Sequence, residues 1–386
     1  MSAEDTLRDA ALDYHRSPRH GKISVTPTKP LSNQRDLSLA YSPGVAYPCL
    51  AIEKDPTMAA EYTSRGNLVG VVTNGTAVLG LGDIGPLASK PVMEGKGCLF
   101  KKFAGIDVFD IELAERDPDK LVDIIAALEP TLGGINLEDI KAPECFYIEK
   151  KLRERMKIPV FHDDQHGTAI VVLAALKNSL KLVKKDISSV KIVMSGAGAA
   201  GTAVARLLVK SGAKNIVAFD KDGVINGSRN RDDEMRAWFI DHSNPMNFAG
   251  NLHEAMTGAD VFIGVSAPNV LTEADIASMG EKSIVFALAN PDPEIDPVIA
   301  RKYAAVVATG RSDQPNQINN VLAFPGIFRG LLDAQANQIT DELLIAAANA
   351  IADCVSASQL NASFIVPSVF DPQVVTKVAA AVKASV

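Results

Sequence analysis

The sequence predicts an α/β protein in which a Rossmann-type doubly wound parallel sheet is preceded by a smaller α/β N-terminal domain. From Val190 onward, short apolar strands alternate with helical segments through short connections, as is typical of parallel sheets. A glycine-rich loop lies between the first of these strands and the helix that follows it. The length of 386 residues exceeds what one hydrophobic core usually organises, which favours two domains.

Five short apolar runs in the C-terminal half are predicted to be strands of this sheet. They cover residues 190–194, 215–220, 260–265, 283–288 and 305–309. A helix is expected over residues 201–210, directly after the first strand. The stretch 229–251 is polar and contains the only tryptophan, Trp238, which indicates an insertion or a long loop.

The N-terminal half begins with a helix predicted over residues 5–15. An extended arm over residues 21–36 follows, and it suits a homodimer contact. Further along, residues 68–72 and 76–81 flank Asn74-Gly75. This dipeptide favours a two-residue turn between antiparallel strands, so a β-hairpin is predicted here.

The domain boundary is predicted at the end of the motif Phe161-His162-Asp163-Asp164. This placement gives an N-terminal domain of residues 1–164 for substrate and metal, and a nucleotide-binding domain of residues 165–386. A helix over residues 168–184 then joins the two halves, and a cleft at such a junction is a common ligand site.

Composition excludes several classes of protein. With 47% hydrophobic and 22% charged residues the chain is globular, and its net charge of −7 argues against nucleic acid as a partner. No apolar run approaches the roughly 20 residues needed to cross a bilayer, and the N-terminus has no apolar signal segment. The four cysteines are scattered without a Cys-x-x-Cys spacing, so neither a disulfide framework nor a thiolate zinc site is expected. A cytoplasmic location is consistent with these features.

The glycine-rich loop satisfies the pattern G-x-G-x-x-G in the strand–helix context that a dinucleotide requires. Its predicted cofactor contacts are Gly196, Ala197, Gly198, Ala199, Ala200 and Gly201. Asp220, about 20 residues further on, is expected to accept from the ribose hydroxyls, which favours NAD. Lys221 is suited to a 2′-phosphate instead, so spacing alone leaves NAD and NADP open. The alternative to a nucleotide site is a tight strand–helix turn without a ligand.

Two acidic pairs emerge from apolar sequence, where an unpaired charge is costly. Glu138 and Asp139 form the first pair, and Asp163 and Asp164 form the second. Carboxylate oxygens are the ligands that Mg²⁺ and Mn²⁺ prefer, so the two pairs predict a site for a divalent cation. The alternative for any single acid is a solvated surface position.

His162 and His166 have the i, i+4 spacing of a zinc helix, but the glutamate of H-E-x-x-H is absent and the segment starts at a strand end. A hydrogen-bonded structural role is therefore favoured for both. A second glycine-rich run over residues 79–85 shows no following helix pattern and is interpreted as a close-packed loop rather than another nucleotide site.

Lys90 and Lys96 are the basic candidates for catalysis, although most lysines are solvated. A lysine near a metal in a closed cleft is able to act as a general base if its pKa is lowered. Tyr41 is a further candidate for catalysis, although packing is the commoner role for a tyrosine in a turn.

The chain is similar to the malic enzyme family over nearly its whole length. The runs that carry the resemblance are residues 40–46, 74–85, 90–110, 133–147, 161–168, 196–201, 286–291 and 309–330. It looks like a short bacterial form and resembles most the malic half of hybrid enzymes with a C-terminal phosphotransacetylase-like domain. The resemblance implies oxidative decarboxylation of L-malate to pyruvate and CO2 with reduction of NAD(P)+, dependent on Mg2+ or Mn2+. A malolactic-type enzyme and a degenerate regulatory module remain the alternatives.

The resemblance also implies roles for individual residues. The general base matches Lys96, the general acid matches Tyr41, and Asp163 matches an acid that orients or tunes the lysine. The implied metal ligands are Glu138, Asp139 and Asp164. Asn290 matches a contact to cofactor and substrate, and Asn320 and Lys96 match contacts to the substrate. There are two departures from relatives: Val78 replaces a carboxylate-binding arginine, and Lys221 replaces a serine, which together with the family favours NADP.

Overall fold

Two sheets form the frame of the protein. The computed structural model describes residues 3–78 and 80–386, with side chains described from residue 5 onward. The first sheet has the order β2-β1-β3-β4, and all its neighbouring strands are parallel. Its strands are β1 (Leu68–Thr73), β2 (Asp107–Glu112), β3 (Gly134–Leu137) and β4 (Val160–His162).

The second sheet has six strands in the order β10-β9-β8-β5-β6-β7. Its strands are β5 (Lys191–Ser195), β6 (Asn215–Asp220), β7 (Gly223–Val224), β8 (Val261–Gly264), β9 (Ile284–Ala287) and β10 (Val306–Thr309). All pairs are parallel except β6 with β7. The chain runs outward from β5 in both directions, so the predicted doubly wound sheet is confirmed, with its ligand crevice expected at the carboxyl ends of the strands near β5 and β8.

Helices cover both sheets and fill the space between them. They are α1 (Ala3–Arg16), α2 (Gln34–Ala40), α3 (Ala46–Lys54), α4 (Ala59–Tyr62), α5 (Pro86–Ala104), α6 (Pro118–Ala127), α7 (Glu144–Arg155), α8 (Thr168–Val183), α9 (Ala199–Lys210), α10 (Glu234–His242), α11 (Leu252–Met256), α12 (Glu273–Ala277), α13 (Pro297–Ala300), α14 (Phe324–Asp333), α15 (Asp341–Ala352) and α16 (Pro372–Ala384). No helix in the described parts of the chain is long and apolar enough to span a membrane.

One aromatic cluster joins the two halves of the chain. The ring of Phe100, on α5, lies 4.7 Å from that of Phe324 and 5.3 Å from that of Phe328, both on α14. Phe161, on β4, lies 5.8 Å from Phe328. All four rings are fully buried, so residues before and after the predicted boundary share a core. The positions of β4 and α5 relative to the C-terminal half are thereby set by packing.

The predicted hairpin after β1 is wrong. All six residues of β1 are buried, and the strand pairs in parallel with β2 and β3, so it is a central strand rather than one arm of a hairpin. After Gly75 the chain turns away, because the backbone N–H groups of Thr76 and Ala77 both donate to the carbonyl of Asp139. Leu79, which belongs to the second predicted arm and to the second glycine-rich run, lies outside the described residues.

Two other predictions are corrected by helices. The glycine-rich run leads directly into α5, which begins at Pro86, a residue whose fixed φ suits the first position of a helix. The polar stretch 229–251 contains α10, whose N-terminus is capped by the side chain of Asp233 through the N–H groups of Met235 and Arg236. Met235, Trp238 and Phe239 have the i, i+3, i+4 spacing of an apolar helix face, and Phe239 is fully buried.

Candidate active site

Three predicted metal ligands meet at the carboxyl edge of the first sheet. Glu138 and Asp139 follow β3, and Asp164 follows the neighbouring strand β4. One carboxylate oxygen from each of these residues lies within 4.8 Å of the others. Glu138 and Asp139 are each only 4% exposed. Because adjacent parallel strands end side by side, two acidic pairs that are far apart in sequence converge on one point.

Lys96 lies inside this group of acids. Its Nζ is 2.7 Å from Oδ2 of Asp163 and 3.0 Å from Oε1 of Glu138, and the residue is 9% exposed. The ammonium also lies over the ring of Phe324, 4.6 Å from its centroid. Lys90, one and a half turns earlier on α5, pairs instead with Asp110 and Glu112 on β2. The structure therefore separates the two lysines and places only Lys96 at the acids.

The cluster of acids holds more negative charge than Lys96 alone balances. Burial raises the pKa of Glu138 well above its ordinary value, and the charges of Asp164, Asp163 and Asp139 add to this effect while Lys96 opposes it. Burial likewise raises the pKa of Asp163. Oδ1 of Asp163 is buried and has no hydrogen-bond partner among the described residues. These features fit a site for a divalent cation, whose charge and open coordination positions would satisfy the carboxylates.

The neighbouring acids oppose the effect of burial on the pKa of Lys96. Burial acts to lower the pKa of the Lys96 ammonium, but the charges of Asp163 and Glu138 outweigh burial and raise it. Lys96 therefore becomes neutral only when those two charges are offset.

The space around each glycine of the loop explains why these positions are glycine. A Cβ atom at Gly196, whose φ is +104°, would lie 2.5 Å from the carbonyl oxygen of Val265, and one at Gly201 would lie 1.9 Å from the carbonyl oxygen of Gly196. A Cβ atom at Gly198 would meet nothing within 4 Å. The outer glycines thus allow a tight turn and close packing, whereas the middle one leaves space for a ligand to approach the backbone. Gly198 caps α9 without a side-chain hydrogen bond, so the first N–H groups of α9 remain available to a phosphate.

A cavity of about 1260 Å³ opens in front of this loop. Its walls include Gly196, Ala197, Gly198, Asp220 and Lys221 from the predicted cofactor residues. Ala142 and Pro143, just downstream of Asp139, also line this cavity. The chain segment that follows Glu138 and Asp139 therefore reaches the cavity at the glycine loop.

Two domain descriptions of one protein family match this chain. "Malic enzyme, N-terminal domain" matches residues 20–153, and "Malic enzyme, NAD binding domain" matches residues 165–386. The chain belongs to the malic enzyme family. The resemblance inferred from the sequence motifs is thereby confirmed.

Named malic enzymes align along almost the entire chain. The NADP-dependent malic enzyme of Salmonella typhimurium is 56% identical, and the NAD-dependent malic enzyme of Rhizobium meliloti is 54% identical. These alignments cover 98% and 99% of this chain but 52% of each relative, so the chain spans about half the length of these curated relatives. The bifunctional malic/malolactic enzyme of Bacillus subtilis is 52% identical, over 98% of this chain and 92% of its own length. The crystal structure of malic enzyme from Pyrococcus horikoshii superposes with a TM-score of 0.94 at 48% identity, covering 98% of this chain and 90% of that one.

The two predicted substrate asparagines occupy different loops. Asn320 begins a short 3₁₀ helix (Asn320–Leu322), and its amide donates to Oδ2 of Asp163, the same oxygen that Lys96 contacts. Asn290 lies on the loop after β9, where its amide donates to the carbonyl of Leu288 over 3.3 Å. Asn320 therefore belongs to the Lys96 cluster, whereas Asn290 lies at the carboxyl edge of the nucleotide-binding sheet.

Tyr41 is not brought to the Lys96 cluster within one chain. It caps the C-terminus of α2, and its side chain is 70% exposed. Its hydroxyl has no hydrogen-bond partner in the described part of the chain. Within a single chain the acid role implied for Tyr41 has no structural support.

Asp220 is already engaged by arginines that the sequence reasoning missed. Nη2 of Arg229 lies 2.9 Å from Oδ2 and 3.1 Å from Oδ1 of Asp220, and Nε of Arg236 lies 3.7 Å from Oδ2. Lys221 is exposed and forms no ion pair within residues 3–78 and 80–386. Both arginines lie in the stretch that was interpreted as a loop, where no local sequence pattern marked them as partners of Asp220.

Glu294 is a second residue that the motifs did not reveal. It is fully buried, and its carboxylate accepts from the backbone N–H groups of Ser266, at 2.8 Å, and Ala289, at 3.0 Å. These N–H groups belong to the loops after β8 and β9, so Glu294 ties together two loops at the cofactor end of the sheet. Burial raises the pKa of this carboxyl, while the backbone hydrogen bonds oppose that effect.

His162 and His166 differ in their hydrogen bonding. Nε2 of His166 lies 2.7 Å from Oε1 of Glu149, so its predicted structural hydrogen bond is confirmed. His162 is fully buried, and neither of its ring nitrogens has a hydrogen-bond partner among the described residues, so the same prediction is wrong there.

Proposed function

We propose that this protein catalyses the oxidative decarboxylation of L-malate to pyruvate and CO2 with reduction of NAD(P)+. The observation that carries this proposal is the buried Lys96 held between Asp163 and Glu138, in a chain that also forms a cavity in front of its glycine loop. A lysine in such a position is suited to exchange a proton with the hydroxyl of a bound hydroxy acid. The named relatives, which include both NAD- and NADP-dependent malic enzymes, support the choice of substrate and reaction.

Glu138, Asp139 and Asp164 would hold the divalent cation. When bound, Mg2+ or Mn2+ supplies Lewis-acid stabilisation for the negative charge that develops on the substrate oxygen during oxidation and decarboxylation. The three carboxylates lie close enough to share one ion, and the burial of Glu138 and Asp139 makes an unshared charge on either of them costly.

Lys96 acts as the general base in this scheme. In its neutral form, Nζ accepts the proton of the C2 hydroxyl while the C2 hydride passes to NAD(P)+. Once the charges of Asp163, Glu138 and Asp164 are offset, burial favours the neutral amine. Asp163 and Asn320 orient Lys96, because the amide of Asn320 and the ammonium share Oδ2 of Asp163.

A homodimer, or a higher homo-oligomer, is proposed as the assembly of the protein. No residue of the N-terminal segment 5–62 is buried, although this segment contains many large apolar side chains. Leu31, Leu39, Tyr47 and Leu50 are all at least 60% exposed. Large apolar side chains exposed along one segment favour an interaction site, and we infer that the second copy covers them and supplies Tyr41 as the general acid that protonates C3 of enolpyruvate.

The location is proposed from the cysteines, and the domain boundary from the positions of the two sheets and of the matched domains. All four cysteines are free, which supports a cytoplasmic location. The change from the first sheet to the second takes place within residues 163–190, and the two matched domain descriptions flank residue 164, which supports the boundary at 164/165.

The deciding experiment supplies L-malate with Mn2+ and either NAD or NADP and measures reduced cofactor, pyruvate, lactate and CO2 together. Equal amounts of reduced cofactor, pyruvate and CO2 are expected. A second candidate is malolactic activity, favoured by the similarity to a bifunctional malic/malolactic enzyme. Lactate and CO2 without release of reduced cofactor would establish that activity instead, and no turnover with either cofactor would refute both.

A further inference from the structure

We propose that Arg229 and Arg236 form the binding site for the 2′-phosphate of NADP and so determine the preference for this cofactor. The inference rests on the proposed use of a nicotinamide cofactor and specifies which of the two forms the site accepts. Both arginines line the cavity in front of the glycine loop, beside Asp220 at the end of β6. In this type of fold the adenine ribose lies next to that acid, and an arginine nearby accommodates a 2′-phosphate.

Asp220 is not a free acceptor for the ribose hydroxyls. Arg229 approaches both of its carboxylate oxygens, and Arg236 stands within ion-pair distance of one of them. An acid that selects NAD offers its oxygens to the 2′ and 3′ hydroxyls. Here those oxygens already receive donors, so Asp220 serves to hold the two guanidinium groups at the ribose.

The arginines retain donors that Asp220 does not satisfy. Nε of Arg236 is buried and has no hydrogen-bond partner among the described residues. A buried unsatisfied donor is costly, so the position is suited to a ligand that brings acceptor oxygens. A phosphate brings several such oxygens, and guanidinium groups bind it with charge-assisted hydrogen bonds.

The backbone around the two arginines holds them in place before any ligand arrives. Nη1 of Arg229 donates to the carbonyl of Val224 over 3.2 Å. Arg236 lies in the first turn of α10, where the side chain of Asp233 accepts from its backbone N–H. Pre-positioned groups lose little conformational entropy on binding, which favours recognition of a small phosphate.

Acidic side chains near the two arginines limit how strongly the site prefers NADP over NAD. Asp220, Asp222 and Asp233 line the cavity together with Lys221, Arg229 and Arg236. The charges of these six side chains balance, so the preference for a phosphate arises from directed hydrogen bonds rather than from a strongly basic surface. We therefore expect NAD to bind as well, but more weakly than NADP.

The test compares two fragments of the cofactors, 2′,5′-ADP and 5′-AMP, by isothermal titration calorimetry on the full chain. The fragments differ only in the 2′-phosphate, and neither requires malate or turnover. The unmodified protein is expected to bind 2′,5′-ADP more tightly than 5′-AMP. Arg229→Ala and Arg236→Ala should each weaken 2′,5′-ADP by roughly ten- to a hundredfold, as expected for the loss of charge-assisted hydrogen bonds.

Binding of 5′-AMP shows whether each variant keeps its fold and its glycine loop, and it should change by less than about threefold in both. Arg231→Ala is the matched control, because Arg231 belongs to the same segment but is exposed and pairs with Asp241. This control should leave the affinities for both fragments unchanged. In steady-state assays, the two test variants should raise KM for NADP, whereas Arg231→Ala should not.

Equal affinity of the unmodified protein for the two fragments would overturn the inference, as would unchanged binding of 2′,5′-ADP in Arg229→Ala and Arg236→Ala. Failure of the proposed function would look different. In that case malate would not be turned over, although the preference for 2′,5′-ADP and its loss in the two variants would persist.

Discussion

At the scale of single residues, Lys96 is the proposed general base of the site. Its ammonium touches Asp163 and Glu138, and these two contacts oppose the effect of burial on its pKa. A general base in this position depends on its neighbours for its protonation state. In the proposed mechanism the acids therefore have two roles, since they hold the cation and also influence the protonation state of Lys96.

Lys96→Ala is predicted to abolish malate oxidation, with a loss of about 10²–10⁴-fold in kcat, because no other base takes the hydroxyl proton. Binding of Mn2+, measured by titration, should persist because Glu138, Asp139 and Asp164 remain. Lys90→Ala is the matched control on the same helix, since Lys90 pairs with Asp110 and Glu112 instead. Full turnover in Lys96→Ala would remove this lysine from the mechanism.

Asp164→Asn is predicted to weaken Mn2+ binding by at least about tenfold, because the site loses one anionic ligand. The variant should otherwise fold normally, since an amide oxygen is still able to accept from the backbone N–H of Asp139, as the carboxylate does over 2.8 Å. Calorimetric Mn2+ titration measures the effect, and Glu154→Gln, at an exposed acid paired with Lys151, serves as the control. An unchanged Mn2+ affinity in Asp164→Asn would contradict the assignment of this ligand.

Residues whose roles depend on their neighbours in the sequence were predictable. Residues whose roles depend on contacts between distant parts of the sequence were not. The glycines of the loop and the two acidic pairs carry their chemistry in short runs. Arg229 and Arg236 gain their roles from their contacts with Asp220. Glu294 gains its role from hydrogen bonds to two loops that are close in space. No local pattern reports such contacts, because the partners are set by the path of the chain.

At the scale of elements, helix α7 and the π-helical turn Asp163–Gly167 are joined by a buried ionic contact. Glu149, on α7, lies 2.7 Å from both Arg153 and His166. Burial acts to raise the pKa of the Glu149 carboxyl, but the charges of His166 and Arg153 outweigh it and lower this pKa to about 2. The contact supports the turn that carries Asp163 and Asp164.

The pH dependence of stability is predicted from this contact. Because the pKa of Glu149 falls from 4.5 to about 2 on folding, its ionised form stabilises the protein above pH 4.5, and that contribution is lost as the pH falls toward 2. The contribution is about 3 kcal/mol at most. Thermal unfolding should show a smaller loss of stability between pH 7 and pH 3 in Glu149→Gln than in the unmodified protein.

Glu154→Gln is the control for this measurement, because Glu154 lies on the same helix but in an exposed pair. It should retain the steep acid sensitivity of the unmodified protein. The same sensitivity in Glu149→Gln would show that other carboxyl groups govern acid unfolding.

The elements themselves were predictable where periodicity was strong. Strand β6 matches its predicted residues, and β5, β8, β9 and β10 lie within one residue of theirs. Strands β2, β3 and β4 were missed. Strand β1 was assigned to a hairpin, since a buried central strand has no polar alternation to distinguish its pairing. Asn74-Gly75 is a turn signal, but the acceptor for the next N–H groups is Asp139, a residue far along the chain.

At the scale of the whole molecule, the exposed N-terminal segment bears on both assembly and catalysis. Residues 5–62 bury no side chain within one chain, and Tyr41 belongs to this segment. Lys96, by contrast, is assembled with its acids inside one chain. If the second copy covers the segment, each active site combines Lys96 of one chain with Tyr41 of the other.

A mixture of Tyr41→Phe and Lys96→Ala chains tests this arrangement. Each homodimer should be nearly inactive, but a heterodimer would contain one site with both side chains intact and should regain up to half of the activity per dimer. The measurement is malate turnover after co-expression, with purification of the heterodimer through two different tags. Failure of the pure heterodimer to regain activity would show that Tyr41 does not act in the neighbouring site, and a monomer by light scattering would contradict the proposed assembly.

The sequence by itself determined the doubly wound sheet, the glycine loop and the acidic pairs, because each depends on residues close together along the chain. Tertiary structure alone decided that Lys96 rather than Lys90 lies at the acids, that Asp220 is held by Arg229 and Arg236, and that Tyr41 stays outside the cluster of its own chain. The physical reason is that long crossovers between parallel strands bring distant segments to one sheet edge, where distance and burial rather than order in the chain set which charges meet.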